Sequence, residues 1–342
     1  MGQYLIRRLF TVIPTLLAIS FVIFGVLKLA PGDPTGSLPE TIRPEVRQMI
    51  REAMGLDDPL HVQYAMWLKQ FFIIEPAILV EEAFNVEILS RFMDPDKIIR
   101  LASWGSRGTP VFDMIAQRIP QTLWVVGAAY LMAILISIPM GVMTAVKQYS
   151  LFDQLGTLFS LVIYSIPTFF TGLIFIIVFS VNLKWFPSIY DTNLEVTDWA
   201  TFVKQFKQMI MPVTVLGLFQ AAALARFTRS SMLDNLPMDY VRTVRSKGFR
   251  ERYVIIRHVL RNSLIPVVTL IALGIPAIFG GAIITEQIFR INGLGALLIG
   301  AIQVNDIPLV QTVTFIFAVL IVSFNLIVDI IYGMLDPRIR YD

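Results

Sequence analysis

No cysteine occurs among the 342 residues. That excludes a disulfide framework, a thiol nucleophile and any thiolate metal site. Only two histidines are present, His61 and His258, far apart in the chain, so a His-rich metal site is not expected. Charge is also scarce. Lys, Arg, Asp and Glu make up 15% of the chain, against about 25% in ordinary soluble domains. No Gly-rich phosphate loop ending in Gly-Lys-Ser/Thr and no H-E-x-x-H pair occurs, and no serine has an evident histidine base beside it in sequence. The chain is therefore not expected to bind and hydrolyse ATP, to hold a hydrolytic metal or to be an enzyme.

What the chain has instead is apolar residues, 56% of the total, with a mean hydropathy of +0.69. This is too much for a core and reads as membrane spans, each needing about 20 apolar residues. Arg7 and Arg8 precede an apolar run from Leu9 to Leu27. No small-residue cleavage site follows, so the run is read as an uncleaved first span and not as a signal peptide. Further spans are expected at about 121–146, 155–181, 209–226, 264–285 and 309–334. Helices are the expected form, because lipid offers backbone N–H and C=O groups no partner. Kinks or close packing are expected where Pro14, Pro139, Pro167 and Pro276 fall in these runs.

Lys and Arg concentrate before span one, between spans four and five, and after span six, where Arg338 and Arg340 lie. An even span count puts all three regions on one side. The positive-inside rule makes that side cytoplasmic, with both termini there. Three regions follow: residues 1–30, the N-terminus and span one; 31–118, an extracytoplasmic helical insertion; and 119–342, a five-span core. In the insertion, Pro44–Met54 reads as a helix capped by Gly55, and His61–Phe72 as a second, amphipathic one. Thr109-Pro110 reads as an N-cap followed by proline at the first helical position. The region is expected to form a small helical lid on the span ends, its apolar residues Phe71–Ile74 and Ala77–Val80 packing onto the membrane surface or meeting a partner. In a second outer loop, Asn182–Gln208, the residues Trp185, Tyr190 and Trp199 are expected at the lipid–water interface.

Polar residues within spans are costly and mark pathways or ion pairs. Gln220, Asn325 and Asp329 are the candidates, with Asp329 read as pairing with Arg226, Arg229 or a base in another subunit, or as part of a proton relay. The basic segment 227–262 carries more information. Pro237–Lys247 reads as a short amphipathic helix with Tyr240, Val241 and Val244 near one face. Gly248 ends it, and Arg250–Asn262 forms a second helix entering span five. A loop that only sets topology needs no apolar face. A helix laid into a partner's groove does.

The run Asp239-Tyr-Val-Arg-Thr-Val-Arg-Ser-Lys-Gly248, continued by His258-Val-Leu-Arg-Asn-Ser-Leu-Ile-Pro266, resembles the EAA loop of ATP-binding-cassette (ABC) importer permeases. Its form is that of the first, B-type subunit of the dipeptide/oligopeptide/nickel family. Ala30–Pro34, Gly55–Tyr64 and Asn325–Tyr341 resemble other blocks of that family, so the likeness covers nearly the whole chain. Against the general E-A-A-x-x-x-G pattern, Arg242, Thr243 and Val244 replace Glu-Ala-Ala, while Gly248 is kept. His258 and Arg261 stand where the general ending has isoleucine and proline. The stretch 73–101 is longer than the usual outer loop.

The resemblance implies an all-α type I importer permease fold of about six spans in a bacterial or archaeal cytoplasmic membrane. It implies half of a translocation pore, completed by a second, homologous permease. Two cytoplasmic ATPase subunits carrying ATP and Mg would dock on the loop, and an extracytoplasmic binding protein would deliver peptides. Tyr240, Arg242, Thr243, Val244, Lys247, Gly248, Phe249, His258 and Arg261 are the coupling residues it implies. No cofactor is implied in this chain, and no nucleic-acid partner. Nickel chelates and oligosaccharides stay open as cargo. An ion-coupled secondary carrier is the rival class, and it would call for inverted repeats and several buried acids.

Overall fold

A computed structural model describes residues 2–29, 43–87, 89–92, 99–106, 108–279 and 282–335. Among them the regular structure is helical, apart from one isolated antiparallel bridge between Ala102 and Pro110. Among the described residues, five helices are long and apolar enough to cross a membrane: Phe10–Leu29, Val111–Val146, Trp199–Asn235, Glu251–Pro276 and Ile307–Val328. Two broken helix pairs raise the range of candidate spans to between five and seven. The chain divides into two units, residues 119–296 with 323–342, and residues 2–118 with 297–322.

In the second unit, α1 (Gly2–Leu29) exposes Phe10, Ile13, Phe21 and Val22, as a lipid-facing helix must. α2 (Pro44–Ala53) starts with proline in its first turn, and Gly55 follows its end at φ +64°, as expected. The helix expected at 61–72 is longer. α3 (Leu60–Lys69) runs through a π turn, Gln70–Ile74, into α4 (Glu75–Phe84). Rings of Trp67, Phe71 and Phe72 surround Phe315, with centroids 5.3, 4.9 and 5.7 Å away. Phe71 and the buried Ile74 are thus packed, whereas Ile73, Leu79 and Val80 stay exposed. A short helix, α5 (Leu89–Phe92), follows. Glu75 is fully buried and is held by Arg100 Nη2 at 3.2 Å and the Leu101 amide at 2.7 Å.

The expected Thr109 cap is not made. α6 (Val111–Thr122) starts after Pro110, and the Thr109 hydroxyl donates to Ser106 O at 2.7 Å. The 103–105 turn that precedes this segment is held by Asp306, which is 1% exposed. It accepts from the Ser103 hydroxyl and from the amides of Trp104 (3.2 Å), Gly105 (3.0 Å) and Leu309 (3.3 Å). Residues 30–42, which include Ala30–Pro34, and 336–342 at the C-terminal block lie outside the described residues.

In the first unit, α7 (Ala128–Val146) packs on α10 (Trp199–Asn235) along a seam of small residues. Ala129, Ala133, Ser137, Gly141 and Ala145 recur every fourth position and are all buried. Opposite them, Gly217, Ala221 and Ala225 are also buried at that spacing. Between lipid-exposed helices there is little hydrophobic gain from association, so close backbone approach supplies the attraction.

The apolar run expected as one span at 155–181 is two helices. α8 (Leu151–Ser165) and α9 (Thr168–Phe175) meet at 99°. Ile166 before Pro167 adopts extended angles, φ −83° and ψ 125°, because proline's ring excludes its predecessor from the helical region. The run expected at 264–285 also differs. α11 (Asp239–Ser246) and α12 (Glu251–Tyr253) lead through a π turn, Val254–Val259, into α13 (Leu260–Phe279). A separate broken pair follows, α14 (Ile283–Phe289) and α15 (Leu294–Gln303), interrupted where Arg290 takes φ +57°. The last helix is α16 (Ile307–Leu335).

Candidate functional site

The basic segment between α10 and α13 folds as expected in outline. Helix α11 is eight residues long, and Gly248 follows at φ +76°, its amide donating to Arg245 O at 3.0 Å. The disposition of its apolar face differs from the expectation. Val241 is fully buried, with Tyr240 and Val244 partly so, in a cluster with Ala145, Met232, Val254, Ile255 and Val259. The Tyr240 hydroxyl donates to Asn235 Oδ1 at 3.0 Å. The face read as fitting a partner's groove is filled by the chain's own helices α7, α10 and the start of α13.

The side left open is charged and aromatic. Arg242, Thr243, Lys247, Gly248 and Phe249 are exposed, and Arg261 lies exposed at the start of α13. Phe249 stacks on Tyr253 at 5.1 Å, and Tyr253 meets the half-buried His258 edge-on at 5.5 Å. Arg245 forks onto Glu251, with Nη2–Oε1 at 2.6 Å and Nε–Oε2 at 3.1 Å. That hydrogen bond raises the Arg245 pKa further. The fork ties α11 to α12 across the glycine turn. Of the nine proposed coupling residues, the structure thus puts Arg242, Thr243, Lys247, Gly248, Phe249 and Arg261 on the surface, and Tyr240 and Val244 against the core.

The intramembrane candidates are placed less tellingly. Gln220 on α10 and Asn325 on α16 are half-buried. The Asp329 side chain lies outside the described residues. Arg229 grips Asp153 with Nε–Oδ1 at 2.7 Å and Nη2–Oδ2 at 2.8 Å, and Arg226 lies 4.6 Å over the Tyr164 ring.

Besides Glu75 and Asp306, two further buried acids were not singled out from the sequence. Asp153 is one, in the first turn of α8. Glu286 is the other, 1% exposed on α14. It accepts from the Thr122 hydroxyl at 3.1 Å and the Ala296 amide at 2.8 Å, and Thr122 in turn receives the Leu294 amide at 2.8 Å. A Cβ on Gly293 or Gly295 would run into that carboxylate. An acid between two short apolar runs flanked by glycines was the available signal.

Tyr190 is a further correction. It is 4% exposed and is not an interfacial aromatic. Its hydroxyl donates to Gln121 Oε1 at 2.9 Å and accepts from Gln205 Nε2, while Gln208 Nε2 reaches Gln205 Oε1 at 2.8 Å. Burial pushes its phenol above the ordinary tyrosine value. The network pins the 183–198 loop to α10 and to the Gln121 region. Trp185 and Trp199 are exposed, as interfacial residues would be.

Comparison with known proteins places this geometry. Residues 137–341 match the family model described as binding-protein-dependent transport system inner membrane component. Residues 1–83 match the N-terminal model of such membrane components. The chain is 40% identical over 342 residues, the whole of both chains, to the oligopeptide transport system permease protein AppB of Bacillus subtilis. It is 33% identical over 343 residues, again end to end, to the glutathione transport system permease protein GsiC of Salmonella typhimurium. A putative peptide transport system permease protein of Brucella abortus is 35% identical over 353 residues, also covering both chains in full.

Proposed function

We infer the function from one premise: the chain belongs to the family of inner-membrane components of binding-protein-dependent transport systems. It is a multi-pass membrane permease subunit. We propose that it carries peptides, the class named in all three relatives, glutathione being itself a tripeptide. It forms half of a pore with a second permease and takes substrate from an extracytoplasmic binding protein. Both termini lie in the cytoplasm, and residues 31–118 lie outside. ATP and Mg are bound by separate ATPase subunits.

One observation carries the coupling role. Helix α11 is a short amphipathic helix whose apolar side is already covered, while Arg242, Thr243, Lys247 and Phe249 remain in solvent beside a glycine turn. The docking surface is therefore this polar and aromatic rim. Basic side chains here orient an acidic groove on the ATPase and set specificity more than affinity. Val241 acts from behind, fixing the helix to the body of the permease, so that movement of the ATPases is felt by the spans. Under this reading His258 supports the rim through Tyr253.

The test is co-purification together with ATP-dependent peptide uptake in proteoliposomes. Arg242→Glu with Lys247→Glu should release the ATPase subunits from a permease that still folds. ATPase retained at the wild-type level would contradict the assignment of the rim.

A further inference from the structure

Several groups lie outside the coupling rim. The most completely built is the ion pair between α8 and α10. Asp153 is 4% exposed. Both its oxygens are taken by Arg229, at 2.7 and 2.8 Å. The same carboxylate accepts the Tyr149 amide at 2.9 Å and the Thr157 hydroxyl at 3.4 Å. The Ser150 hydroxyl caps the helix by accepting the Asp153 amide at 3.3 Å. The first turn of α8 is thus fastened through one side chain to one residue of α10. A planar guanidinium bound at two points fixes orientation as well as distance.

The position of that residue matters. Arg229 lies one turn before Met232, the α10 member of the cluster that seats Val241 of the coupling helix. On the other side, α8 leads into the Pro167 bend and α9. There α9 presses on α14 at Gly172, where a Cβ would sit 3.4 Å from Ile288 and 3.5 Å from Phe289. α14 carries the buried Glu286. A displacement of α11 moves the end of α10 through packed side chains. At its other end α8 meets α10 through ring contacts, with Arg226 4.6 Å over the Tyr164 ring and Tyr164 stacked on Phe219 at 5.2 Å, so at the start of α8 the ion pair is the charged link.

We propose that Asp153–Arg229 is a positioning pair for transport: it makes the broken helix α8–α9 follow the coupling helix. The proposal rests on the coupling role assigned to α11. The pair touches no substrate and acts through the helices it joins. A slip of α10 along α8 would leave Asp153 without its countercharge in a buried site, so the two helices move together.

The experiment uses the whole importer, with both permeases, both ATPases and the binding protein, in proteoliposomes. ATP hydrolysis and peptide uptake are measured on the same vesicles. Asp153→Asn keeps the shape and removes the charge, Arg229→Gln removes the other partner, and Arg229→Lys keeps the charge without the fork. Expected for Asp153→Asn and Arg229→Gln is an intact complex that hydrolyses ATP but imports about ten-fold less peptide, so that more ATP is spent per peptide. Arg229→Lys should fall between these variants and the wild type.

An unchanged ratio of ATP to peptide in Asp153→Asn would overturn the proposal. So would uptake that falls only as far as the amount of assembled complex, since that marks a contact needed for folding alone. Failure of the coupling reading has a different signature. There the Arg242→Glu, Lys247→Glu variant would keep its ATPases at the wild-type level, whatever the Asp153 and Arg229 variants do; that result removes both assignments.

Discussion

Replacing Gly141 by alanine adds one methyl group to the seam between α7 and α10. That methyl would stand 2.5 Å from the Thr228 Cβ and 2.7 Å from the Ala225 carbonyl oxygen. Carbon atoms in contact settle at about 3.5–4.0 Å, so roughly an ångström of room is missing. Neither neighbour can yield. Ala225 O is backbone, and Thr228 is fully buried with its hydroxyl bonded to Leu224 O at 2.8 Å. The helices must separate locally, and overpacking of this kind costs about 1–3 kcal/mol. Alanine's better helix propensity returns up to about 1 kcal/mol. With the full propensity gain the expected net loss is thus about 0–2 kcal/mol, and the difference from a glycine whose Cβ meets nothing is about 1–3 kcal/mol. Gly25→Ala is the control, because a Cβ there meets nothing within 4 Å, and it should be neutral or slightly stabilising. Denaturant unfolding of the purified permease in mild detergent, followed by tryptophan fluorescence, measures both. Equal stability for the two variants would refute the account of the seam.

Gly248→Asn should preserve assembly and uptake, whereas Gly248→Val should weaken both. The site is open around the Cβ, so the cost is the left-handed backbone, about 1–2 kcal/mol for most residues and less for asparagine. Equal behaviour of the two variants in a uptake assay would argue against a conformational role. Glu286→Ala should leave the Ala296 amide and Thr122 hydroxyl without a partner, at about 1–3 kcal/mol per buried group. Hydrogen exchange at 294–296 should rise while that of α7 stays unchanged. The Asp198 carboxyl, bonded by the Thr201 amide and hydroxyl, has its pKa held below the ordinary aspartate value. Its cap is complete above about pH 4 and is lost as pH falls through the lowered pKa. Amide exchange at Thr201, corrected for intrinsic pH dependence, should therefore be protected at neutral pH and lose that protection only in acid; early loss near pH 6 would contradict it.

Much of the architecture was readable from apolar runs, because a membrane demands length and continuity that few other constraints imitate. The C-cap glycines Gly55 and Gly248 were readable for a similar reason: a left-handed residue after a helix favours glycine. What was not readable depended on distant partners. Pro167 was visible as a possible kink, but a turn of 99° depends on what α9 packs against. Tyr190 resembles any aromatic near a span end until Gln121, Gln205 and Gln208 converge on it. Asp153 looked like one loop acid among many, because its meaning lies 76 residues away at Arg229. The apolar face of α11 reads in sequence as fitting a partner's groove, and the residues that cover it belong to the same chain, on α7 and α10 or after the glycine turn.

That covering has a consequence for biosynthesis. A helix with a bare apolar side would stay adhesive from the ribosome until its partner arrived, and permease and ATPase would have to be made in step. Val241, Tyr240 and Val244 are enclosed by residues of their own chain, so α11 matures as soon as α13 is in place. On the proposed coupling role, the permease can then wait in the membrane, finished and inert, and accept ATPase subunits as they are produced. The same ATPase can detach and be replaced without unfolding what it leaves behind.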